Sequence, residues 1–504
     1  KTMMFFRCSK DSFYRFFSFL INLFVSQCMT DILCFLYISF PCMLCYQLHM
    51  IFAFCAFRFL GTITANISTA FVFTIAISIC CAIRKYLIFR ANIAVVILII
   101  NAVKAGDLIE VSLDLILGND LTTPVAIREF AKIEGAKVKN PEKVVIVMDH
   151  FTPNKDIQTA TQCKACREFA KAQGISDIYD VGNGGIEHVL LPEKGYVHTG
   201  DLIVGADSHT CTYGAFGAFS TGIGSTDMAA AMLTGELWFQ VPRGIRVELR
   251  GKKKKWVSGK DIILWLLRQI SVNGADYASL EFVGDIADLT MDDRMTICNM
   301  AVEAGAKNAV FPVDDVTRAY LKKVGAEGGI VCGEAPADAY EKTLVLDLDE
   351  VEPIVAFPGK PDNGRCFSEF GEVKLDQIVI GSCTNGRLSD LKEAADILRG
   401  KKVAPGLRVI VIPATPKIYR EAMEEGLLMD FMNAGCAIMT PCCGPCIGGS
   451  VGILAAGERA LATTNRNFTG RMGHLESEIY LSSPAVAAAS ALTGRITHPQ
   501  EVME

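Results

Sequence analysis

Short apolar runs alternate with helical patterns of apolar residues from about residue 103 to the end of the chain. Four of these runs occupy residues 144–148, 201–205, 377–380 and 408–412. Polar residues follow three of the runs almost at once, namely Asp149, Asp207 and Cys383. Short buried strands that deliver polar side chains at their carboxyl ends are typical of open α/β sheets. The pattern therefore predicts an α/β fold, and no dinucleotide-binding glycine motif follows any of these strands.

The first hundred residues have a different composition. They hold sixteen of the 29 phenylalanines and eight of the 19 cysteines, but only two acidic residues. Uncharged stretches at 32–57 and 59–83 are long enough to cross a bilayer, as in a membrane anchor. Polar residues interrupt both stretches, and no signal-peptide cleavage pattern stands out. We expect residues 1–102 to be a mis-assigned start or an out-of-frame extension, with a real membrane segment as the alternative.

The rest of the chain is acidic. Eight of the 49 basic and two of the 55 acidic residues lie in the first hundred positions, which leaves the remainder with a net charge of −12. No basic stripe with interleaved aromatic residues occurs there, so nucleic acid is not an expected partner. A segment of this length should form two or three domains with substantial cores.

Three cysteines near the C-terminal end suggest a metal centre. Cys383 lies in Gly-Ser-Cys-Thr-Asn-Gly, and Cys443 and Cys446 form a Cys-Gly-Pro-Cys motif. A structural zinc site needs four ligands and a redox pair needs two, so this set suggests an iron–sulfur cluster with one open iron. An open iron is a Lewis acid that can activate a hydroxyl leaving group, which points to a dehydratase. The spacing alone leaves zinc, redox chemistry and coincidence as alternatives.

A loop with two arginines follows the cysteine pair. Residues 465–471 read Asn-Arg-Asn-Phe-Thr-Gly-Arg. Arginine binds carboxylates in a forked, bidentate geometry, so Arg466 and Arg471 are candidates for binding an acidic substrate. Most arginine pairs lie on solvated surface loops, but the Asn, Thr and Gly residues here favour a shaped loop.

Further motifs accompany these two segments, at residues 149–150, 184–188, 205–210 and 296–303. In this order, and together with the cysteines, they closely resemble the aconitase superfamily over about residues 103–504. The resemblance implies an aconitase-like core of three α/β domains around an iron–sulfur cluster. We expect these domains at residues 103–241, 242–370 and 371–504. The swivelling domain of the single-chain aconitases is not matched in this sequence.

The resemblance also implies roles for the motif residues. Cys383, Cys443 and Cys446 would hold a [4Fe-4S] cluster, and its labile fourth iron would bind the substrate's hydroxyl group and one carboxylate. The Asp149–His150 pair would protonate the departing hydroxyl group, because the reaction needs an acid on that side.

Two more histidine–carboxylate pairs and a set of polar residues complete the implied site. The pairs would hold the solvent around the iron, and they are His188 with Asp207 and His209 with Glu303. The expected substrate contacts are Ser208, Asn299, Arg466 and Arg471. The residues expected to shape the surroundings of the cluster are Asn465 and Asn467. Residues 296–303 are expected to form one helix that turns Asn299 and Glu303 to the same side.

The activity implied by the resemblance is that of a hydro-lyase acting on a hydroxy-di- or tricarboxylic acid. The chain resembles the large subunit of a two-chain enzyme of the family, so we expect a separate small subunit that carries the swivelling domain and a serine base. The expected reaction interconverts 2- and 3-isopropylmalate in leucine biosynthesis, and homoaconitate and dimethylmalate are alternative substrates. Three free thiolates need a reducing compartment, so we expect a cytoplasmic location.

Other classes of function fit less well. A cluster-dependent regulator or a membrane-tethered binding protein is the alternative of another class, but the acidic composition and the intact histidine–carboxylate set argue against it. A zinc hydrolase is not favoured because the H-E-x-x-H spacing is missing from the sequence.

The sequence indicates no functional role for four further features. The glycine-rich residues 216–227 lack the lysine of a phosphate-binding loop. Cys163 and Cys166 form a CxxC expected to open an amphipathic helix, and are interpreted as ordinary thiols. Cys442 directly precedes Cys443, but two adjacent cysteines do not easily reach the same cluster. Residues 118–123 occupy the place of a substrate-contacting segment in single-chain aconitases, and their role is left open.

Overall fold

The computed structural model describes residues 103–331, 333 and 335–503. The expectation for residues 1–102 lies outside these residues. Within the described part of the chain, no helix combines the length and the apolar character needed to cross a membrane. The α/β class predicted from the apolar runs is confirmed.

The first part of the fold is a parallel five-stranded sheet with helices around it. Its elements are β1 (Leu108–Ser112), β2 (Leu115–Asn119), α1 (Thr123–Phe130), β3 (Val144–Val147), α2 (Ile157–Gln173), β4 (Ile178–Tyr179), α3 (Glu187–Glu193), β5 (Leu202–Gly205), β6 (Phe219–Gly222), α4 (Ser225–Thr234) and β7 (Glu236–Gln240). The sheet has the order β4-β3-β2-β5-β6, and β1 pairs with β7 in a separate antiparallel ribbon. Every residue of β2 and β3 is buried, as expected for parallel strands covered on both faces.

A second, four-stranded parallel sheet follows. Its elements are β8 (Arg243–Arg250), α5 (Gly259–Ile270), β9 (Ala278–Gly284), α6 (Met291–Met300), β10 (Asn308–Val310), α7 (Asp315–Val324) and β11 (Tyr340–Asp347). The strand order is β10-β9-β8-β11. The helix expected over residues 296–303 begins and ends earlier than predicted, because α6 spans Met291–Met300 and Ala301–Ala304 continues as a 3-10 helix before Gly305 ends it with a positive φ.

The third sheet has seven strands. Its elements are β12 (Ile354–Ala356), β13 (Gly364–Cys366), β14 (Gln377–Ile380), α8 (Ser382–Asn385), α9 (Leu388–Leu398), β15 (Arg408–Val411), α10 (Pro416–Glu424), α11 (Leu427–Ala434), β16 (Ala437–Ile438), β17 (Arg459–Ala462), β18 (Glu478–Leu481), α12 (Pro484–Thr493) and α13 (Gln500–Met503). The order is β13-β12-β18-β17-β14-β15-β16, and only the pairs that involve β12 are antiparallel. The first two strands precede residue 371, so the third sheet begins before the expected third domain. The domain boundaries stay a prediction.

The apolar runs of the sequence match strands closely. The runs at 144–148, 201–205, 377–380 and 408–412 correspond to β3, β5, β14 and β15, with ends that differ by at most one residue. The CxxC at 163–166 does not open a helix, because α2 begins six residues earlier at Ile157, where Asp156 caps it. Cys163 and Cys166 are fully buried in the core of the first sheet, consistent with their interpretation as ordinary thiols.

Candidate active site

A cavity of about 470 Å³ lies where strands of the first and third sheets end. Asp149 follows β3, Asp207 follows β5, and Cys383 follows β14, and all three line the cavity. The other predicted residues on its wall are His150, His188, Ser208, His209, Cys443, Cys446, Asn465, Arg466 and Arg471. Three predicted residues do not line it, and these are Asn299, Glu303 and Asn467. Residues far apart in the sequence thus converge on one site.

All three cysteines line this cavity. Cys383 and Cys446 are each only 6 % exposed, and Cys443 is partly buried. Asn465 joins two of them, since its Nδ2 donates to Cys383 Sγ at 3.0 Å and its Oδ1 accepts from Cys446 Sγ at 3.2 Å. Ser382 precedes the first cysteine with a φ of +80°, a conformation rare outside glycine and often found at functional sites.

The electrostatics of the thiols fit the cationic core of an iron–sulfur cluster. Burial raises the pKa of Cys383 to about 12, and the nearby charges of Cys446 and Asp207 add to this. Burial also raises the pKa of Cys443 well above its usual value, with further contributions from Asp149 and the other two sulfurs. Three thiolates in one cavity repel one another, and a multivalent cation between them replaces this repulsion with attraction. Three converging sulfurs therefore fit a cluster with three thiolate ligands.

Cys442 has a different environment from Cys443. Its side chain is 2 % exposed, packs in a hydrophobic core and does not line the cavity. Burial raises its pKa to about 11. The peptide N–H of Cys443 donates to the backbone carbonyl of Asp149 at 2.8 Å, which ties the cysteine pair to the end of β3. The two adjacent cysteines thus lie on opposite sides of the chain.

The three expected histidine–carboxylate pairs lie at hydrogen-bond distance. His150 Nδ1 donates to Asp149 Oδ1 at 2.5 Å, and both residues are buried. His188 Nε2 is 2.9 Å from Asp207 Oδ1. His209 Nε2 is 3.0 Å from Glu303 Oε1.

The His150 imidazole is held in its protonated form. Burial by itself lowers the pKa of His150, but the charges of Asp149, Asp207 and Asp120 outweigh burial and raise the pKa well above its usual value. His150 Nε2 lies 3.7 Å from Asp207 Oδ2. Asp149 therefore fixes one ring nitrogen, and the second nitrogen lies near Asp207 in the wall of the cavity. A protonated imidazole held in this way can act as a proton donor.

Asp207 connects two of the histidines. Besides the bond from His188, it accepts the peptide N–H of His209 at 2.8 Å and caps the 3-10 helix Ser208–Phe216. Burial tends to raise the pKa of Asp207, but the hydrogen bonds and charges of the two histidines bring it well below its usual value. Asp207 is therefore ionised at neutral pH.

Glu303 lies behind the cavity wall and joins a histidine to an arginine. Its Oε1 accepts from His209 Nε2 at 3.0 Å and from Arg466 Nε at 2.7 Å. These two partners outweigh burial and lower the pKa of Glu303. Asn299 also lies behind the wall, where its Oδ1 accepts from Asn465 Nδ2 at 2.8 Å. A substrate contact by Asn299 therefore requires Asn465 as an intermediary.

The two arginines of the loop differ in their partners. Arg466 is engaged by Glu303 and is 19 % exposed. Arg471 lines the cavity, and its buried Nε has no hydrogen-bond partner among the described residues. Asn467 does not face the cavity, because its Nδ2 donates to the carbonyl of Phe357 at 2.6 Å and so fixes the loop. Of the two, Arg471 has no ion pair among the described residues, whereas Arg466 has its Nε bound to Glu303.

Sequence reasoning left the segment 118–123 without a role, and the structure gives it one. Both oxygens of Asp120 accept peptide N–H groups of the turn after β3, from His150 at 2.9 Å and from Phe151 at 2.8 Å. Leu121 and Thr122 line the cavity. Asp120 is fully buried, and burial raises its pKa. The position of this segment after β2, at the same sheet edge as Asp149, is the signal that points to it.

Glu187 is a second residue that the sequence analysis passed over. It is 1 % exposed, lines the cavity, and its Oε1 accepts from Asn119 Nδ2 at 3.0 Å. Its Oε2 has no hydrogen-bond partner within the described part of the chain, and burial together with the charges of Asp149 and Asp207 raises the pKa of Glu187 well above the usual value. Its place beside His188 in the motif at 184–188 is the only sequence signal.

Sequence matches identify the family. A model of the aconitase family, described as "Aconitase family (aconitate hydratase)", matches residues 95–372 and 365–494. The chain belongs to the aconitase family. The match begins eight residues earlier than the resemblance seen in the motifs, and the predicted family is confirmed. Proteins of the aconitase family typically bind a [4Fe-4S] cluster, and this member has the buried cysteines that such a site requires.

Close relatives share one name. The 3-isopropylmalate dehydratase large subunit of Clostridium kluyveri is 60% identical over 406 residues, which cover 80% of this chain and 96% of that protein. The protein of the same name from Clostridioides difficile is 58% identical over 410 residues, with 80% and 96% coverage. Among solved structures, aconitase X of Thermococcus kodakaraensis in its holo form aligns with a TM-score of 0.44 and 14% identity, over 73% of this chain and 88% of that chain. This structural similarity is too low to add to the sequence matches.

Proposed function

We propose that this chain is the large subunit of a 3-isopropylmalate dehydratase, a hydro-lyase that interconverts 2- and 3-isopropylmalate in leucine biosynthesis. The observation that carries the proposal is the convergence on one cavity of three cysteine thiols and of the histidines of three histidine–carboxylate pairs, the third of which is held from behind the wall by Glu303. The names of the relatives support the choice of substrate.

Cys383, Cys443 and Cys446 are the residues that would hold the [4Fe-4S] cluster. When bound, the cluster supplies a Lewis-acidic iron that polarises the substrate hydroxyl group. Asn465 holds two of the sulfurs in place through its amide. Because Cys442 packs in the core, the proposed ligand set excludes it.

His150 is the proposed proton donor to the departing hydroxyl group. Its Nδ1 is fixed by Asp149, and the raised pKa keeps the ring protonated at neutral pH. In the reverse direction, the neutral ring takes a proton from the entering water. His188 and His209 would orient solvent, since Asp207 and Glu303 hold their rings through Nε2.

Arg471 is the proposed anchor for a substrate carboxylate. Its side chain lines the cavity, and its buried Nε has no partner in residues 103–503 as far as they are described, so an incoming carboxylate would provide one. Arg466 would help through a second contact while Glu303 fixes its orientation. Ser208 lines the same cavity and would donate its hydroxyl hydrogen to the substrate.

A separate small subunit is the proposed source of the base that removes the carbon-bound proton. The term "large subunit" in the names of the relatives supports a two-chain enzyme. Because free thiols serve the cluster, we place the assembled enzyme in the reducing cytoplasm.

The test is reconstitution under anaerobic conditions. The purified chain, loaded with iron and sulfide, is mixed with a candidate small subunit and assayed with 3-isopropylmalate, homoaconitate and dimethylmalate. We expect activity only with both chains, and the highest kcat/KM with 3-isopropylmalate. Cys383→Ala should abolish iron binding and activity, whereas Cys436→Ala, which changes a buried thiol outside the cavity, should retain both. Full activity of the large chain alone, or a clear preference for another acid, would refute the proposal.

A further inference from the structure

Lys260 is a fully buried lysine that no motif of the sequence singled out. It lies in the first turn of α5 with 0 % exposure. Its Nζ donates to Thr384 Oγ1 at 3.2 Å and to the carbonyl oxygens of Thr463 and Thr464 at 2.9 and 2.7 Å. A long, flexible side chain is thus fixed by three hydrogen bonds to neutral oxygens.

These three oxygens belong to two segments of the candidate site, the Cys383 loop (residues 381–387, which include the short helix α8) and the Asn465 loop (residues 463–471). Thr384 directly follows Cys383, and Thr464 directly precedes Asn465. Thr384 Oγ1 also donates to the Thr463 carbonyl at 2.6 Å, so a direct hydrogen bond joins the same two segments that Lys260 connects. Because Asn465 contacts the sulfurs of Cys383 and Cys446, fixing these loops fixes the spacing of two proposed ligands.

Lys260 has no carboxylate partner among the described residues, and burial lowers the pKa of its ammonium group to about 7. No acidic oxygen of the described residues lies within ion-pair distance of its Nζ, in contrast to Arg387, which reaches Asp292 at 3.7 Å. A buried cation without a counter-charge is strongly unfavourable. A cluster with three thiolate ligands is anionic, because the thiolates outweigh the charge of the iron–sulfide core. The loaded site would therefore provide the missing counter-charge.

We propose that Lys260 is a positioning residue for the iron–sulfur cluster, which joins the Cys383 loop to the Asn465 loop and supplies a fixed positive charge to the anionic cluster. The inference rests on the proposed function, since it requires that the site holds a cluster. Arg387 assists the same loop, with Nη2 donating to the Cys383 carbonyl at 3.0 Å. A fixed positive charge nearby favours the reduced cluster, because reduction adds an electron.

The experiment compares three variants of the full chain after anaerobic reconstitution. Lys260→Met keeps the length of the side chain and removes the charge, and Lys260→Arg keeps the charge. Lys307→Met is the matched control, because Lys307 is partly buried and also donates to a backbone carbonyl, that of Gly222 at 3.3 Å. The readouts are iron and sulfide content, the rate of iron loss to a chelator, and the midpoint potential of one-electron reduction followed by electron paramagnetic resonance.

Lys260→Met should lose iron several-fold faster than the unmodified chain. At a fixed potential its ratio of reduced to oxidised cluster should fall about tenfold, which corresponds to about 59 mV for a one-electron couple. Lys260→Arg should restore the potential, and Lys307→Met should match the unmodified chain. The inference would be overturned if the cluster of Lys260→Met kept the midpoint potential and the iron retention of the unmodified chain. It would also be overturned if Lys260→Arg behaved like Lys260→Met.

Two further outcomes are distinguishable. If Lys260→Met does not fold, Thr384→Val decides, because it removes one acceptor of the ammonium group and leaves the charge. That variant should lose iron faster, and unchanged retention would overturn the inference. If the unmodified chain holds no cluster at all, both the proposed function and the inference fail. If the unmodified chain holds a cluster and the Lys260 variants behave as it does, only the inference fails and the proposed function stands.

Discussion

Replacing Asp149 with asparagine isolates the electrostatic part of the proposed proton transfer. Asp149 Oδ1 accepts from His150 Nδ1 at 2.5 Å, and its Oδ2 accepts the peptide N–H of Glu187 at 2.9 Å. An asparagine has the same shape but only one acceptor oxygen, so one of the two donors must face the amide NH₂ group. The variant also removes the negative charge that contributes most to the raised pKa of His150.

The expected size of the effect follows from these contacts. A hydrogen bond to a charged group contributes about 1.5–3 kcal/mol, and a buried donor left without an acceptor costs about 1–3 kcal/mol. If about 3–4 kcal/mol of this total is lost in the transition state, kcat falls by two to three orders of magnitude. The pKa of His150 should also fall. Since the proton donor must be protonated, the alkaline limb of the pH–rate profile should move to lower pH.

The assay is kcat of the two-subunit enzyme as a function of pH, expressed per bound cluster. The matched control is Asp201→Asn, because Asp201 accepts from His198 at 3.2 Å in a similar pair outside the cavity. The control should keep its activity and its pH profile. An Asp149→Asn enzyme with full cluster content, less than a tenfold loss of kcat and an unchanged profile would refute the assignment of His150 as the donor.

Three other outcomes follow from burial and charge. Because the pKa of Glu187 is raised, the native state binds its proton more tightly than the unfolded state does, and its contribution to stability falls as pH rises above about 4.3. The gain in melting temperature of Glu187→Gln over the unmodified chain should therefore grow from pH 5 to pH 8, and parallel curves would contradict this. Cys442→Ser should keep its iron content while Cys443→Ser loses most of it, and equal losses would place both thiols at the cluster. Arg294→Met should lower the free energy of unfolding in urea by about 3–5 kcal/mol, since it leaves buried partners of a fully buried guanidinium unpaired, whereas the exposed Arg318→Met should change it by less than about 1 kcal/mol.

The strands and their polar ends could be predicted from local sequence. Buried parallel strands need apolar residues at every position, so β3, β5, β14 and β15 are visible as uninterrupted apolar runs. The rule that side chains at carboxyl ends of strands form sites then points to Asp149 and Asp207. The end of α6 at Met300 was not predictable in this way, because the apolar pattern does not distinguish an α-helix from the 3-10 helix that continues it to Ala304.

Pairings between distant residues could not be obtained from spacing. His209 and Glu303 are 94 positions apart, and only the resemblance to a family suggested that they meet. The choice between Cys442 and Cys443 is similar, since one peptide unit decides which thiol enters the core and which faces the cavity. Most glutamates are exposed, so the residue type of Glu187 does not indicate that it is buried. Its burial is evident only in the folded chain.

The sequence by itself determined the α/β class, the positions of the strands that build the site, the three cysteines and the family, because these depend on local apolar patterns and on motifs. Only the tertiary structure decided that Arg466 is engaged by Glu303 while Arg471 remains available, and that Asn299 lies behind Asn465. It also decided the place of Lys260, whose three acceptors come from residues more than 120 positions away. The physical reason is that burial and charge pairing are properties of contacts between elements, and a side chain acquires them only when the elements pack together.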